Sequence, residues 1–265
     1  MITKISPHPC LDRTIDYYWI EKSGSSNVKI LPDGTASIIF SIGSHIGISD
    51  ANGDTKEMSD NLIVGTHKQY YVINAKVGTH IVGIKFKQGG AFNFFKLPMM
   101  QFSNKIVNLT DVLNGETEKL RAKLIRAIDN EAIRKVLDYY FLIKVDRLQE
   151  AYNVVDFAIN EVKAEGKPTS IKDVCETAHI SNKHLISLFN NKVGLSPKLV
   201  HRINKFIRVI ELLQKKSSVN WSEIAYECQY YDQAHLINDF KSFSGLSPKK
   251  YFENENAKGL RVEVA

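Results

Sequence analysis

Gly194-Leu195-Ser196-Pro197-Lys198 returns fifty-one residues later as Gly245-Leu246-Ser247-Pro248-Lys249, and these two copies decide how the last third of the chain folds. The same shift, without a gap, places Glu176 on Glu227, His184-Leu185-Ile186 on His235-Leu236-Ile237, and Phe189 on Phe240. Self-similarity at one fixed period means one structural unit used twice. Each copy reads as helix, tight turn, helix. In the first, residues 171–177 form a short helix capped by Thr169 or Ser170, and Ala178-His179-Ile180 turns the chain. Ser181 then caps a second helix that runs to about Val193, where Gly194 stops it. Leu185, Leu188 and Phe189 fall three or four apart and so share its buried face. In the second, residues 221–228, then Gln229-Tyr230-Tyr231, then the cap Asp232 repeat the plan, with Leu236, Phe240 and Phe243 inward. Ser-Pro after each glycine restarts a helix, because proline has no N–H to lose at a first helical position.

Between the copies, residues 197–215 read as one helix of roughly 18 residues, about 27 Å long. It buries Val200, Ile203, Phe206, Ile207, Ile210 and Leu213. A stiff spacer of that length holds two outward helices in successive major-groove segments, ~34 Å apart along one face of DNA. The charge agrees. The chain carries a net charge of +6, and residues 167–216 alone hold ten Lys/Arg against three acids, a stretch suited to phosphate. Opposite Leu185 and Phe189 stand Lys183, His184, Ser187 and Asn190; the matching face of the second copy carries Ala234, His235, Asn238 and Lys241. These are the candidate DNA-contacting residues. Lys183 and Asn190 suit base edges or phosphate, and Asn238 suits a bidentate contact to adenine. Lys198 and Arg202, on the spacer, are candidate phosphate contacts, which position rather than specify. Over residues 221–252 three lysines face four acids, and Asp239 lies within the second reading helix. That copy is expected to read DNA weakly or by shape.

The first ~105 residues are expected to be β-rich, since turn signals there alternate with short apolar runs. The runs fall at residues 15–20, 28–31, 36–42, 46–48, 62–64, 70–73 and 81–86. Leu31-Pro32-Asp33-Gly34-Thr35 predicts a turn closing a hairpin between the second and third runs. A short helix over residues 91–97 is expected to end at Pro98. Helical patterns over residues 116–128 and 132–143 either cover the sheet or pair with a second subunit. The chain is therefore expected to be α+β. Residues 1–146 form a small β-barrel or sandwich with flanking helices, for sensing or dimerisation. Residues 147–254 form an all-α domain with two helix-turn-helix units joined by a linker helix, and residues 255–265 a flexible tail. Tyr18, Trp19, Phe40, Tyr70, Tyr71 and Phe86, on the predicted strands, are the candidate lining of a small-molecule effector pocket.

At this point a resemblance can be placed on the residues. Ser181-x-x-x-Leu185-x-x-x-Phe189-x-x-x-x-Gly194-x-Ser196-Pro197 resembles the AraC-type transcription regulators. So does Asp232-Gln233-Ala234-His235-Leu236-Ile237-Asn238-Asp239-Phe240-Lys241-x-x-x-Gly245-Leu246-Ser247-Pro248. The likeness spans about residues 148–252. It implies a seven-helix DNA-binding domain joined to a sensing or dimerising domain, with bases read from the positions named above. Double-stranded DNA and RNA polymerase are the implied partners, activation the implied action, and a homodimer and a small-molecule effector are compatible with it. Many members carry Arg where Ser187 and Asn238 stand, so the chain departs from the pattern there. Asp16-Tyr17-Tyr18-Trp19, Leu31-Pro32-Asp33-Gly34 and Gly83-Ile84-Lys85-Phe86-Lys87-Gln88-Gly89-Gly90-Ala91 resemble the N-terminal domain of one subgroup, which implies a cupin-like fold.

Two rival functions are compatible with parts of the sequence. A cupin-type enzyme would need metal ligands, yet the eight histidines include no His-x-His or His-Glu-x-x-His pair; only convergence of His45, His67 and His80 would serve. An interaction or assembly protein with vestigial DNA binding would suit the missing arginines. Cys10, Cys175 and Cys228 are too scattered for a disulfide framework or a zinc module. No pattern calls for a cofactor. With no apolar run near the ~20 residues of a membrane span and no secretory signal, the chain reads as cytoplasmic.

Overall fold

Whether an apolar run alternates depends on how many of its faces are covered, and the strands of this protein show both cases. The computed structural model describes every residue except 1, 23–25, 44, 58–59, 77, 114, 145–153, 164–170, 217, 257–260 and 265. Its first ten strands are β1 (Ile2–Ile5), β2 (Ile15–Lys22), β3 (Ser26–Leu31), β4 (Ser37–Ile42), β5 (Gly47–Ser49), β6 (Thr55–Glu57), β7 (Asn61–Val64), β8 (Tyr71–Ala75), β9 (His80–Phe86) and β10 (Ile106–Asn108). One antiparallel sheet runs β1-β2-β9-β4-β7-β10, and a second contains β3-β8-β5-β6. Helices α1 (Gly90–Phe95), α2 (Thr110–Leu113), α3 (Glu116–Arg126) and α4 (Asn130–Lys144) accompany them.

The first sheet is covered on both sides, which is why β4, β7 and β9 are apolar at successive positions. On one side Ile38, Phe40, Ile63, Ile84 and Phe86 pack with Phe94, Phe95, Leu124, Leu137 and Phe141 of the helices. On the other, Ile39, Leu62, Val64 and Ile81 meet Val28, Ile30, Tyr71 and Ile73 of the second sheet. The domain is thus a sandwich with helices on its outer face, and α3 and α4 are that cover. Three short strands, β1, β6 and β10, escape the sequence reading.

Three expectations need correction. The segment 31–35 closes no hairpin: β3 pairs with β8, while β4 pairs with β7 and β9, so the turn carries the chain from one sheet to the other. Its Asp33 is drawn inward by Lys85, 2.6 Å away. The short helix ends at Phe95, where Lys96 takes a left-handed conformation (φ 56°) and donates its N–H to Phe92 O, ahead of Pro98. The tail is not free over its whole length. After α11 (Pro248–Asn256), residues Arg261–Val264 form β11, parallel to Val28–Leu31 of β3. Arg-Val-Glu-Val has the period of a strand, and β3 is a sheet edge whose unpaired N–H and C=O groups invite one.

Seven helices make up the C-terminal domain among the described residues: α5 (Val154–Lys163), α6 (Ile171–Thr177), α7 (Asn182–Lys192), α8 (Pro197–Leu213), α9 (Trp221–Glu227), α10 (Gln233–Ser244) and α11. The start expected for α5 near Leu148, the caps Thr169 and Ser170, and most of the border at 144–148 lie outside the described residues. α8 is the centre of this domain, with Val200, Ile203, Phe206, Val209 and Ile210 buried among Leu185, Phe189, Leu236, Phe240 and Phe243. The two domains meet along β3, β8 and the helix-turn-helix units. Leu31 sits inside the helical core. Lys29 Nζ donates to Ser244 O at 2.8 Å, Tyr70 N to Phe243 O at 3.0 Å, and Gln88 Nε2 to Asn204 Oδ1 at 3.1 Å.

Candidate nucleic-acid interface

Each helix-turn-helix unit is built by local chemistry visible in the chain. In the first, His179 takes a positive φ of 52° in the turn, and Ser181 accepts from His184 N, satisfying one of the free amides that open α7. In the second, Gln229 has φ 59° and Asp232 accepts from His235 N at 2.7 Å. The next helix restarts in the same manner each time: Ser196 accepts from Leu199 N and Ser247 from Lys250 N.

The buried side of α7 is Leu185 and Phe189, and that of α10 is Leu236, Phe240 and Phe243. Opposite them, Lys183, His184 and Ser187 are exposed, as are Ala234, His235, Asn238 and Lys241. Asn190 is half-buried, one turn closer to the N-terminal domain. Lys198 is exposed in the first turn of α8, where free amides and the helix dipole favour an anion. Lys249, its copy in the repeat, is exposed in the first turn of α11; the identity at period fifty-one was the signal for it. Asn182, Gln233 and Tyr231 are further exposed groups at the leading ends of α7 and α10.

Arg202, the other expected phosphate contact on the spacer, is 38% exposed and bonded within the protein. Its Nε lies 3.2 Å from both carboxylate oxygens of Asp239 and its Nη2 2.7 Å from Oδ1, so its fork closes on the protein. The same pairing changes the reading of the second unit. Asp239 is buried and neutralised, and does not project a negative charge at an approaching backbone. Arg202's pKa is raised, first by these hydrogen bonds and then by the charge of Asp239, with desolvation opposing them. Lys205 donates to Gln229 O at 2.6 Å, and its pKa is lowered by burial. Cys228, the C-cap of α9, is buried, and desolvation followed by Glu227 pushes its thiol up to about 12, which leaves no thiolate for nucleophilic chemistry near neutral pH.

Two helix-turn-helix units in tandem, each with its recognition helix capped, its outer face bare and one long helix between them, are the arrangement implied by the repeat. Residues 174–254 match the family described as a helix-turn-helix domain. This part of the chain is a helix-turn-helix domain. Residues 3–108 match a domain of unknown function, and no curated protein matches the chain. Among solved structures, ToxT from Vibrio cholerae is 12% identical, with 89% of this chain and 98% of that one covered and a TM-score of 0.49. The DNA-binding domain of AdpA, a global transcriptional factor solved with a target DNA, is 20% identical over 40% of this chain and 91% of its own, with a TM-score of 0.34. A probable AraC family transcriptional regulator from Rhodopseudomonas palustris is 18% identical over 38% of this chain and 96% of its own, with a TM-score of 0.36.

The six aromatic residues read as one pocket do not share one. Tyr18, Phe40 and Phe86 are fully buried beneath the helices. Tyr70 stands at the domain boundary, its ring 3.7 Å from Lys29 Nζ. Trp19 and Tyr71 alone line a cavity between the sheets, of about 50 Å³, with Ile30, Ile39 and the buried Lys85. That is room for a few waters. A wider cleft of about 410 Å³ lies against Tyr70 and Tyr71, bordered by His67, Asn104, Lys105 and Asp50. A concentration of aromatic residues on strands does not fix a shared pocket: on a sheet covered on both faces, neighbouring aromatics point to different cores. His45 pairs with Asp60 and His67 with Gly65 O. No group of three metal-ligating side chains occurs among the described residues. No helix among them is long and apolar enough to cross a membrane.

Proposed function

We propose that the protein is a transcription regulator that reads double-stranded DNA through both units of its AraC-type domain. The observation that carries this is the exposure of the leading halves of α7 and α10, while, among the described residues, the N-terminal domain bonds to or packs on their trailing ends. Lys183, His184 and Ser187 face one major-groove segment, and Ala234, His235, Asn238 and Lys241 the next; Lys198 and Lys249 fix the register on phosphate. In an electrophoretic shift, binding falls steeply with salt yet stays selective over random duplex. Asn238→Ala costs about 1–3 kcal/mol at one base position, whereas Lys198→Ala weakens all duplexes alike and lowers the salt slope by about 1. Equal binding to every sequence would overturn the reading.

The regulator acts as an activator, in contact with RNA polymerase, and responds to a small molecule in the cleft beside Tyr70 and Tyr71. Tyr70 is the reason for that choice, since it also touches the second unit, and the interior cavity has little room. The protein works as a homodimer through α4. Tyr139 and Ile143, four apart on one face of α4 in the spacing of a coiled-coil seam, are 63% and 64% exposed. Sedimentation of the full chain should give a dimer that Ile143→Lys reduces to monomer; an unchanged mass in the variant removes the proposal.

A further inference from the structure

Arg202 and Asp239 join α8 to the second recognition helix, and they do so with a geometry the first unit lacks. We propose that Arg202 is a positioning residue: by holding Asp239 it sets the rotation of α10 on α8, and so aims His235, Asn238 and Lys241 at the second half-site. The inference rests on the DNA-reading function proposed above. Two nitrogens of a planar guanidinium against a planar carboxylate fix orientation as well as distance. The guanidinium also lies 5.3 Å over the Phe243 ring, and the Asp239 side chain is 5% exposed. Lys205, three residues along α8, holds the carbonyl of Gln229, so α8 grips both the turn and the helix that follows it. His235, a candidate base reader one turn ahead of Asp239, places Nε2 3.7 Å from Oδ2, and Tyr230 meets its ring edge-on at 5.2 Å. The carboxylate is the point on which this part of the reading face turns.

The internal repeat supplies the comparison. Fifty-one residues before Asp239 stands Leu188, which packs against the apolar core of the same domain. An apolar solution to the same position therefore exists in this chain. A buried ion pair is a poor source of net stability beside a well-packed apolar contact, so what distinguishes the pair is the direction it imposes.

The test uses full-length protein, a labelled 30-base-pair duplex enriched by the wild type from a randomised pool, and a random duplex of equal length. Arg202→Met and Asp239→Asn should each weaken the enriched duplex by about tenfold or more, with protection lost over one half-site and the salt slope unchanged. Replacing both partners by apolar residues (R202M/D239L), in imitation of Leu188, should recover much of that loss. Hydrogen exchange in the free protein should quicken over α10 and not over α7. A phosphate contact predicts the reverse: Asp239→Asn binds as well or better, and Arg202→Met lowers the salt slope by about 0.9. That result overturns the inference, as does equal loss at both half-sites or faster exchange throughout the domain. If the wild type enriches no sequence, the regulator reading fails as well; variants that bind like a selective wild type remove the positioning role alone.

Discussion

A buried charge or ring has to be accounted for by what surrounds it, and three groups in the N-terminal domain show how. Lys85 is buried with Asp33 as its counter-charge. Desolvation lowers its pKa and Asp33 opposes that shift. Tyr18 donates to Asp138 Oδ1 at 3.0 Å, tying β2 to α4 beneath the helical cover. His67 is pinned by Gly65 O, 2.6 Å from Nδ1, and its pKa is lowered chiefly by desolvation. A histidine kept neutral in the fold contributes stability above its unfolded value of about 6.5, and that contribution is lost as pH falls through the lowered native value. Urea midpoints measured from pH 7.5 down to 5 should therefore fall less steeply for His67→Gln than for the wild type. Parallel curves would place the acid sensitivity elsewhere.

At the scale of elements, the caps and the spacer govern the reading units. Ser181 and Asp232 each satisfy an opening amide of a recognition helix, and Ser181→Ala or Asp232→Ala should each cost about 1 kcal/mol, seen in chemical denaturation. Exchange should rise at the first turn of α7 or α10 respectively; a loss confined to the distant sheets would contradict the assignment. These caps, the glycine stops and the 17 residues of α8 were legible in the chain because they are local. The pairing of β3 with β8 rather than β4 was not, since a proline-glycine turn bends the chain alike whether it closes a hairpin or crosses between sheets. The run of apolar residues in β4 and β9 signalled burial without saying that each face served a different core.

Over the whole molecule, both units are held at the same point of the repeat. A Cβ on Gly194, whose φ is 86°, would lie 2.8 Å from Met99 O; one on Gly245, at φ 72°, would lie 2.5 Å from the Tyr70 ring. The N-terminal domain thus presses on the trailing corner of each recognition helix, and the leading ends stay bare. Gly53 also has a positive φ but nothing within 4 Å. Gly53→Ala should cost about 1–2 kcal/mol for its backbone alone, and Gly245→Ala clearly more, part of it restored by Tyr70→Ala. Equal costs in urea titrations would mean that the corner carries no contact of consequence.

Read alone, the chain settles the doubled helical unit, the caps of its two recognition helices and the residues on each outward face, because these follow from spacing, capping and composition within a few tens of residues. It could not say that Arg202 turns inward to Asp239, thirty-seven positions away, or that Lys29 closes on Ser244 across 215. Nor could it say that β11 docks beside β3. Such contacts depend on which surfaces meet once each part has folded, and a side chain's charge or shape does not name the partner it will find.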